Sequence, residues 1–103
     1  MAKERLELHE ELVNLLGARN VYFQPPESIK MQYPCIVYKR TNIETRYADN
    51  IAYKKMNQYI IEPIERDPDS TLVDRILDYF PYCHYERGFV YDNLYHNILI
   101  LYF

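Results

Sequence analysis

The sequence predicts an α+β domain: an antiparallel β-sheet with a long projecting hairpin, packed by two helices in the order α-β-β-β-α-β-β. Three observations carry this. The strand-like runs Cys35-Ile-Val-Tyr-Lys-Arg-Thr41 and Gln58-Tyr-Ile-Ile-Glu-Pro-Ile64 flank a polar segment, as the two arms of one hairpin would. Apolar residues recur at helical spacing near the start of the chain and again just after the hairpin. The last stretch carries two more strand-like runs separated by Asp92-Asn93, a turn signal. A chain of 103 residues makes one domain, spanning 1–103, that needs no disulfide or metal to fold.

In the first element, Leu8, Leu12, Leu15 and Leu16 fall at i, i+4, i+7 and i+8, which predicts a helix over Glu4 to Leu16 with Gly17 as its left-handed stop. Glu4, Glu7, Glu10 and Glu11 cover its other faces, and acidic residues near a helix start suit the helix dipole better than they suit catalysis. A short strand, Val21 to Gln24, is ended by Pro25-Pro26, so it belongs at a sheet edge or stops there. Glu27 to Gln32 reads as a turn, and Tyr33-Pro34 favours an extended approach to the first hairpin arm.

Both faces of that arm are apolar at Cys35 to Tyr38 and polar beyond, so the strand begins inside the domain and runs out of it. Glu44 to Lys55, with Asp49-Asn50 as turn signal, reads as a projecting tip or loop. Its Arg46, Tyr47, Asp49, Asn50, Tyr53, Lys54 and Lys55 form the candidate protein-interaction site; the same mixture also suits any solvated loop. In the returning arm Pro63 removes a ladder donor, which predicts an edge or a bulge at that end.

Asp67-Pro68-Asp69-Ser70 predicts a helix start, with Asp67 as cap and Pro68 in the first turn. Leu72, Val73, Ile76, Leu77 and Phe80 make its apolar side, Asp74, Arg75 and Asp78 its polar side, and Pro81 stops it. Alternation over Tyr82 to Tyr91 places Cys83, Tyr85, Phe89 and Tyr91 on one face, with Gly88 as a possible bulge. Leu94 to Phe103 is apolar on both faces, so both faces are covered; with two helices available, a neighbouring subunit is one candidate cover.

Composition narrows the function classes. The longest apolar run, Ile98 to Phe103, is far below the ~18 residues of a membrane span. The first residues, Met-Ala-Lys-Glu-Arg-Leu-Glu, carry no apolar signal region, which leads us to expect a cytoplasmic protein with free thiols at Cys35 and Cys83. A net charge of −3 argues against a dedicated nucleic-acid binder. Twelve tyrosines with no tryptophan suit surfaces that are partly wet and partly buried, though strands favour aromatics in any context. No Walker pattern, nucleophile elbow or His-Glu-x-x-His occurs, and two glycines are too few for a backbone phosphate cradle. Cys35, Cys83, His84 and His96 lack the paired spacing of a zinc site, so the expectation is no catalytic residue, no cofactor and no metal.

The run Arg19-Asn-Val-Tyr-Phe-Gln-Pro-Pro-Glu-Ser28, then Met31-Gln-Tyr-Pro-Cys-Ile-Val-Tyr38, Asp67-Pro-Asp-Ser70, Asp92-Asn-Leu-Tyr-His-Asn97 and Leu101-Tyr-Phe103 together resemble small tail terminator (tail completion) proteins of long-tailed bacteriophages and prophages. Related neck and minor capsid proteins have similar size. The resemblance covers nearly the full chain. It implies a structural virion assembly protein, not an enzyme. Such a protein forms a homo-oligomeric ring, commonly a hexamer, that caps the tail tube, ends tube polymerisation and offers a surface for head joining. The implied partners are the major tail tube protein and head-tail connector proteins, with DNA passing through the ring without specific binding and no membrane contact. The implied location is the virion tail or neck, and the host cytoplasm during assembly. The alternative reading is a head-side connector or head-closure (minor capsid) protein that binds the portal.

Overall fold

A computed structural model describes residues 4–44 and 56–103. The elements run α1 (Arg5–Leu16), β1 (Val21–Phe23), β2 (Cys35–Glu44), β3 (Met56–Glu65), α2 (Leu72–Tyr79), β4 (Cys83–Tyr91) and β5 (Leu94–Tyr102), the α+β order predicted above. The strands form one sheet in the order β1-β2-β3-β5-β4. All neighbours are antiparallel except β1, which joins β2 in parallel, so the sheet is mixed. The reason lies in the connection: eleven residues, 24–34, carry the chain from the end of β1 back to the start of β2, where a tight turn would have reversed it.

Helix α1 buries Leu8, Leu12 and Val13, with Leu15 and Leu16 packed against the core less completely. Gly17 ends it at φ 80°, a left-handed conformation that lets its N–H donate to the Val13 carbonyl at 2.9 Å. Helix α2 starts later than the sequence predicts. Asp67 closes a turn of its own, its Oδ1 accepting from Asp69 N at 2.9 Å, and Leu72 N instead reaches Ser70 Oγ at 3.2 Å. Asp67 and Pro68 thus shape an Asx turn one step ahead of the helix, because the aspartate side chain satisfies the turn before helical bonding begins.

Both helices lie on the same face of the sheet. Leu72, Ile76 and Phe80 join Leu8 and Leu12 over Val21, Ile36, Tyr38, Tyr59, Ile61, Leu99, Leu101 and Phe103. Burying such side chains contributes about 1.5–3 kcal/mol each, so this layer holds the fold together. On the opposite, open face stand Val37, Lys39, Ile60, Glu62, Ile64, His96, Ile98 and Ile100, set by alternation along the paired strands. Ile98 and Ile100 are only 8% and 9% exposed there within the single chain, with Arg87, His84 and Ile60 as cross-strand neighbours.

Two extra residues break the alternation. In β2 the register steps between Arg40 and Asn42, leaving Thr41 unpaired; its hydroxyl points at the Gln58 carbonyl (3.1 Å) and Gln58 Oε1 (2.7 Å). In β4 the step falls between Tyr85 and Arg87, so the bulge is at Glu86 and not at Gly88. Pro63 is also placed differently from the expectation. It sits in β3, the middle strand of the sheet, where it is fully buried and paired with Ile36. Its missing donor is accommodated on the β5 side, where the ladder skips from Ile61↔Leu99 to Ile64↔His96.

Candidate functional site

The residues predicted to form the interaction site, Arg46, Tyr47, Asp49, Asn50, Tyr53, Lys54 and Lys55, lie outside the described residues. The described parts of β2 and β3 pair from Cys35↔Ile64 to Glu44↔Met56, so the two arms lead to that segment as one antiparallel pair. Among the described residues, the surface that stands out is β4 and the open face beside it.

The bulge at Glu86 builds this surface. Simple alternation would leave Tyr85, Phe89 and Tyr91 together. The extra residue turns the strand by one position, so Tyr85 keeps to the helix face beside Leu99, while Phe89 and Tyr91 move to the open face opposite His96 and Leu94. There the Phe89 ring stacks on His96 at 4.8 Å with 7° between the planes, and Tyr91 meets the same imidazole edge-on at 6.3 Å. The Arg87 guanidinium lies 5.5 Å from the Phe89 ring centre. His96 Nδ1 is 2.7 Å from Glu62 Oε2 across the β3–β5 ladder. An ionised carboxylate only accepts, so Nδ1 donates, which fixes the ring's orientation. Nε2 is buried with no partner and cannot meet a substrate arriving from solvent. The pair is a positioning device under two aromatic rings and lacks the access that a catalytic base needs.

Tyr85 is held on the other face. Its hydroxyl donates to Asn97 Oδ1 at 3.1 Å, and the ring crosses the strand where Gly88 has no side chain. Along β4, Tyr85, Phe89, Val90 and Tyr91 are 47%, 40%, 62% and 71% exposed, an unusual density of large apolar groups on a nine-residue edge strand. Towards the opposite edge, the open face holds a shallow depression of ≈ 510 Å³ that includes Gln24, Pro25, Val37, Lys39, Ile60 and Glu62 in its lining.

Other ionisable groups among the described residues lie under α1, in the core or on the helix surfaces. Tyr38, buried beneath α1, places its hydroxyl 2.8 Å from His9 Nδ1 and 3.2 Å from Arg5 Nη1. Desolvation, then the Arg5 charge, lowers the His9 pKa below its ordinary 6.5. Burial raises the thiol pKa of Cys35 to about 12 and of Cys83 to about 11, which makes both poor nucleophiles. Cys35 is on β2 and Cys83 on β4, with β3 and β5 between them. Among the described residues no three His, Cys, Asp or Glu side chains come together as metal ligands. Asp74 is exposed on α2, as is Asp78 one turn later. Glu10 pairs with Arg19 at 3.3 Å and Glu11 accepts from the Tyr79 hydroxyl at 2.7 Å.

The sequence named the aromatic residues of β4 but assigned them to a single face. Gly88 was the available signal, and it marks the place where Tyr85 crosses, two residues past the bulge itself. The Glu62–His96 pair had no local signal, since its members are 34 residues apart. Comparison with family models, with curated proteins and with solved structures finds no match for this chain.

Proposed function

We propose that the chain is a structural protein of phage virion assembly: a ring-forming tail terminator that caps the tail tube, ends its polymerisation and presents a surface for head joining. The observation that carries this reading is the one-sided sheet. Both helices pack on one face, and the other displays Val37, Lys39, Ile60, Glu62, Phe89 and Tyr91 as a broad, shallow, mixed surface suited to contact with another protein. The resemblance of the sequence to tail terminators supplies the kind of partner. The long β2–β3 pair supports it too, because it leads to the tip segment 45–55, whose arginine, tyrosines and lysines are of the types that contact surfaces use. In this reading the partners are further copies of the chain, the major tail tube protein and the connector, and the chain performs no catalysis.

The test is solution mass by light scattering over a range of concentrations, alone, with purified tail tube protein and with portal complex. A ring that forms or is stabilised on tube protein, and shortens tube growth in a polymerisation assay, is the expected result. Binding to portal with no effect on tubes would replace the terminator by a head-closure role. Binding to neither would overturn both.

A further inference from the structure

We propose that β4 is a self-recognising edge: two copies of this chain join by antiparallel pairing of β4 with β4, in the register that places Glu86 opposite Arg87 of the second copy. Four observations lead there, and none rests on the ring reading.

The first is which backbone groups face outwards. Tyr102 N donates to Tyr82 O at 2.9 Å, and Phe103 exchanges bonds with Asn57 at 3.0 and 3.3 Å, so the even-numbered residues of β5 turn to β4 and the odd-numbered ones to β3. Carried along the β4–β5 register, this turns His84, then Arg87 with the extra Glu86, then Phe89 and Tyr91 inwards to β5. Cys83, Tyr85, Gly88 and Val90 are left with their N–H and C=O groups pointing away from β5, to the edge that no other described strand covers. This set is symmetric about the midpoint between Glu86 and Arg87. Only one antiparallel register pairs all four groups at once, Cys83 with Val90 and Tyr85 with Gly88 of the second copy, each twice.

Side-chain direction is the second observation. Opposite residues in a sheet share a face. A regular strand pairing i with i+1 of its own copy about a two-fold axis would break that rule, because i and i+1 point to opposite faces. The bulge removes the conflict. Cys83 and Tyr85 share the helix face with Gly88 and Val90, whereas His84, Arg87, Phe89 and Tyr91 share the open face, so the pairs Cys83–Val90, Tyr85–Gly88 and His84–Phe89 of this register all match. An edge bulge normally blunts pairing with a foreign strand; here it admits a strand carrying the same bulge.

The third is chemistry. The register sets Glu86 against Arg87 twice, both exposed and of opposite charge, and His84 against Phe89 twice, an imidazole on an aromatic ring. Finally, the other edge of the sheet offers no equal partner. β1 has three residues against nine in β4 and leads into Pro25-Pro26. The occupant that fits is therefore a second β4, which doubles the five-stranded sheet with all helices on one side. Such a contact closes at two copies. A head-to-tail ring must use other surfaces or open this one.

Analytical ultracentrifugation of the full chain tests it, with three variants whose changes are exposed: Glu86→Arg, Arg87→Glu, and the two combined. The parent should show a monomer–dimer equilibrium. Each single change sets like charges opposite each other twice and should raise the dissociation constant by about tenfold or more, while the combined change restores opposite charges and should bring it back. Circular dichroism checks that each variant is folded. Amide exchange gives a second reading: protection gained on dimerisation should fall on Cys83, Tyr85, Gly88 and Val90. A parent that stays monomeric, a combined variant no better than the singles, or an assembly in which those four amides exchange as in the monomer would each overturn the proposal. The ring reading is tested with tube protein and can fail or succeed independently.

Discussion

The Tyr85 hydroxyl occupies the space that a Cβ at residue 88 would need, and from there it donates to Asn97 Oδ1 at 3.1 Å. Gly88 is therefore required by its neighbours, since its own backbone has no special conformation. An added methyl group would also stand 2.9 Å from Asn97 Oδ1 and 3.3 Å from the His96 carbonyl. Gly88→Ala should displace the tyrosine and cost about 1–2 kcal/mol, measured by urea unfolding. Tyr85→Phe removes the same hydrogen bond, so the two changes combined should cost clearly less than their sum. Additive losses would mean that the ring and the glycine do not depend on each other.

Helix α2 provides a graded test of packing. Ile76 is fully buried, whereas its neighbour Leu77 is only partly so. Ile76→Ala should cost about 2–5 kcal/mol, with Leu77→Ala nearer the lower end or below it. The reverse order would mean that the helix is rotated from the orientation described.

Burial of His9, and then the Arg5 charge beside it, makes stability pH-dependent. Because His9 binds a proton less readily in the folded chain than at its unfolded value of 6.5, its contribution is complete above that value and is lost as pH falls towards the lowered folded pKa. The parent should therefore lose melting temperature on acidification from pH 6.5 more steeply than His9→Gln, which has no proton to gain. Parallel curves for the two proteins would remove His9 from the account.

Cys35 and Cys83 should be slow to react. With pKa values raised by burial to about 12 and about 11, neither offers much thiolate near neutral pH. Iodoacetamide at pH 8 should label the native chain far more slowly than the urea-unfolded chain. Reductants and chelators should leave the melting temperature unchanged, and a drop of many degrees with a chelator would point to a metal-dependent fold.

The tip segment carries the prediction tied to the proposed function. Combining Arg46→Ala, Tyr47→Ala and Lys54→Ala should leave stability within ~1 kcal/mol of the parent, because loops tolerate loss of side chains, while abolishing capping of tail tubes. In a phage assembly assay this appears as overlong tubes or tails that fail to join heads. Normal tails that contain the variant would shift recognition to the open sheet face.

The sequence by itself determined the kind and order of the elements. Helical spacing at Leu8 and Leu12 and again at Leu72 and Ile76, the stop at Gly17, and the strand runs around Asp92-Asn93 are all local patterns, and local backbone preference is enough to read them. The apolar start and polar continuation of β2 was legible in the same way: Cys35, Ile36 and Tyr38 are buried, and Lys39 and Arg40 are exposed. What only the tertiary structure decided is how strands meet. β1 runs parallel to β2, Pro63 is buried in the middle of the sheet, Asp67 closes its own turn ahead of α2, and the extra residue in β4 is Glu86. That last position sends Phe89 and Tyr91 to the face where His96 meets Glu62. The physical reason is that register is a property of two strands at once. A single inserted residue reverses every side chain beyond it, and whether it is inserted depends on a partner strand whose position the local sequence does not encode.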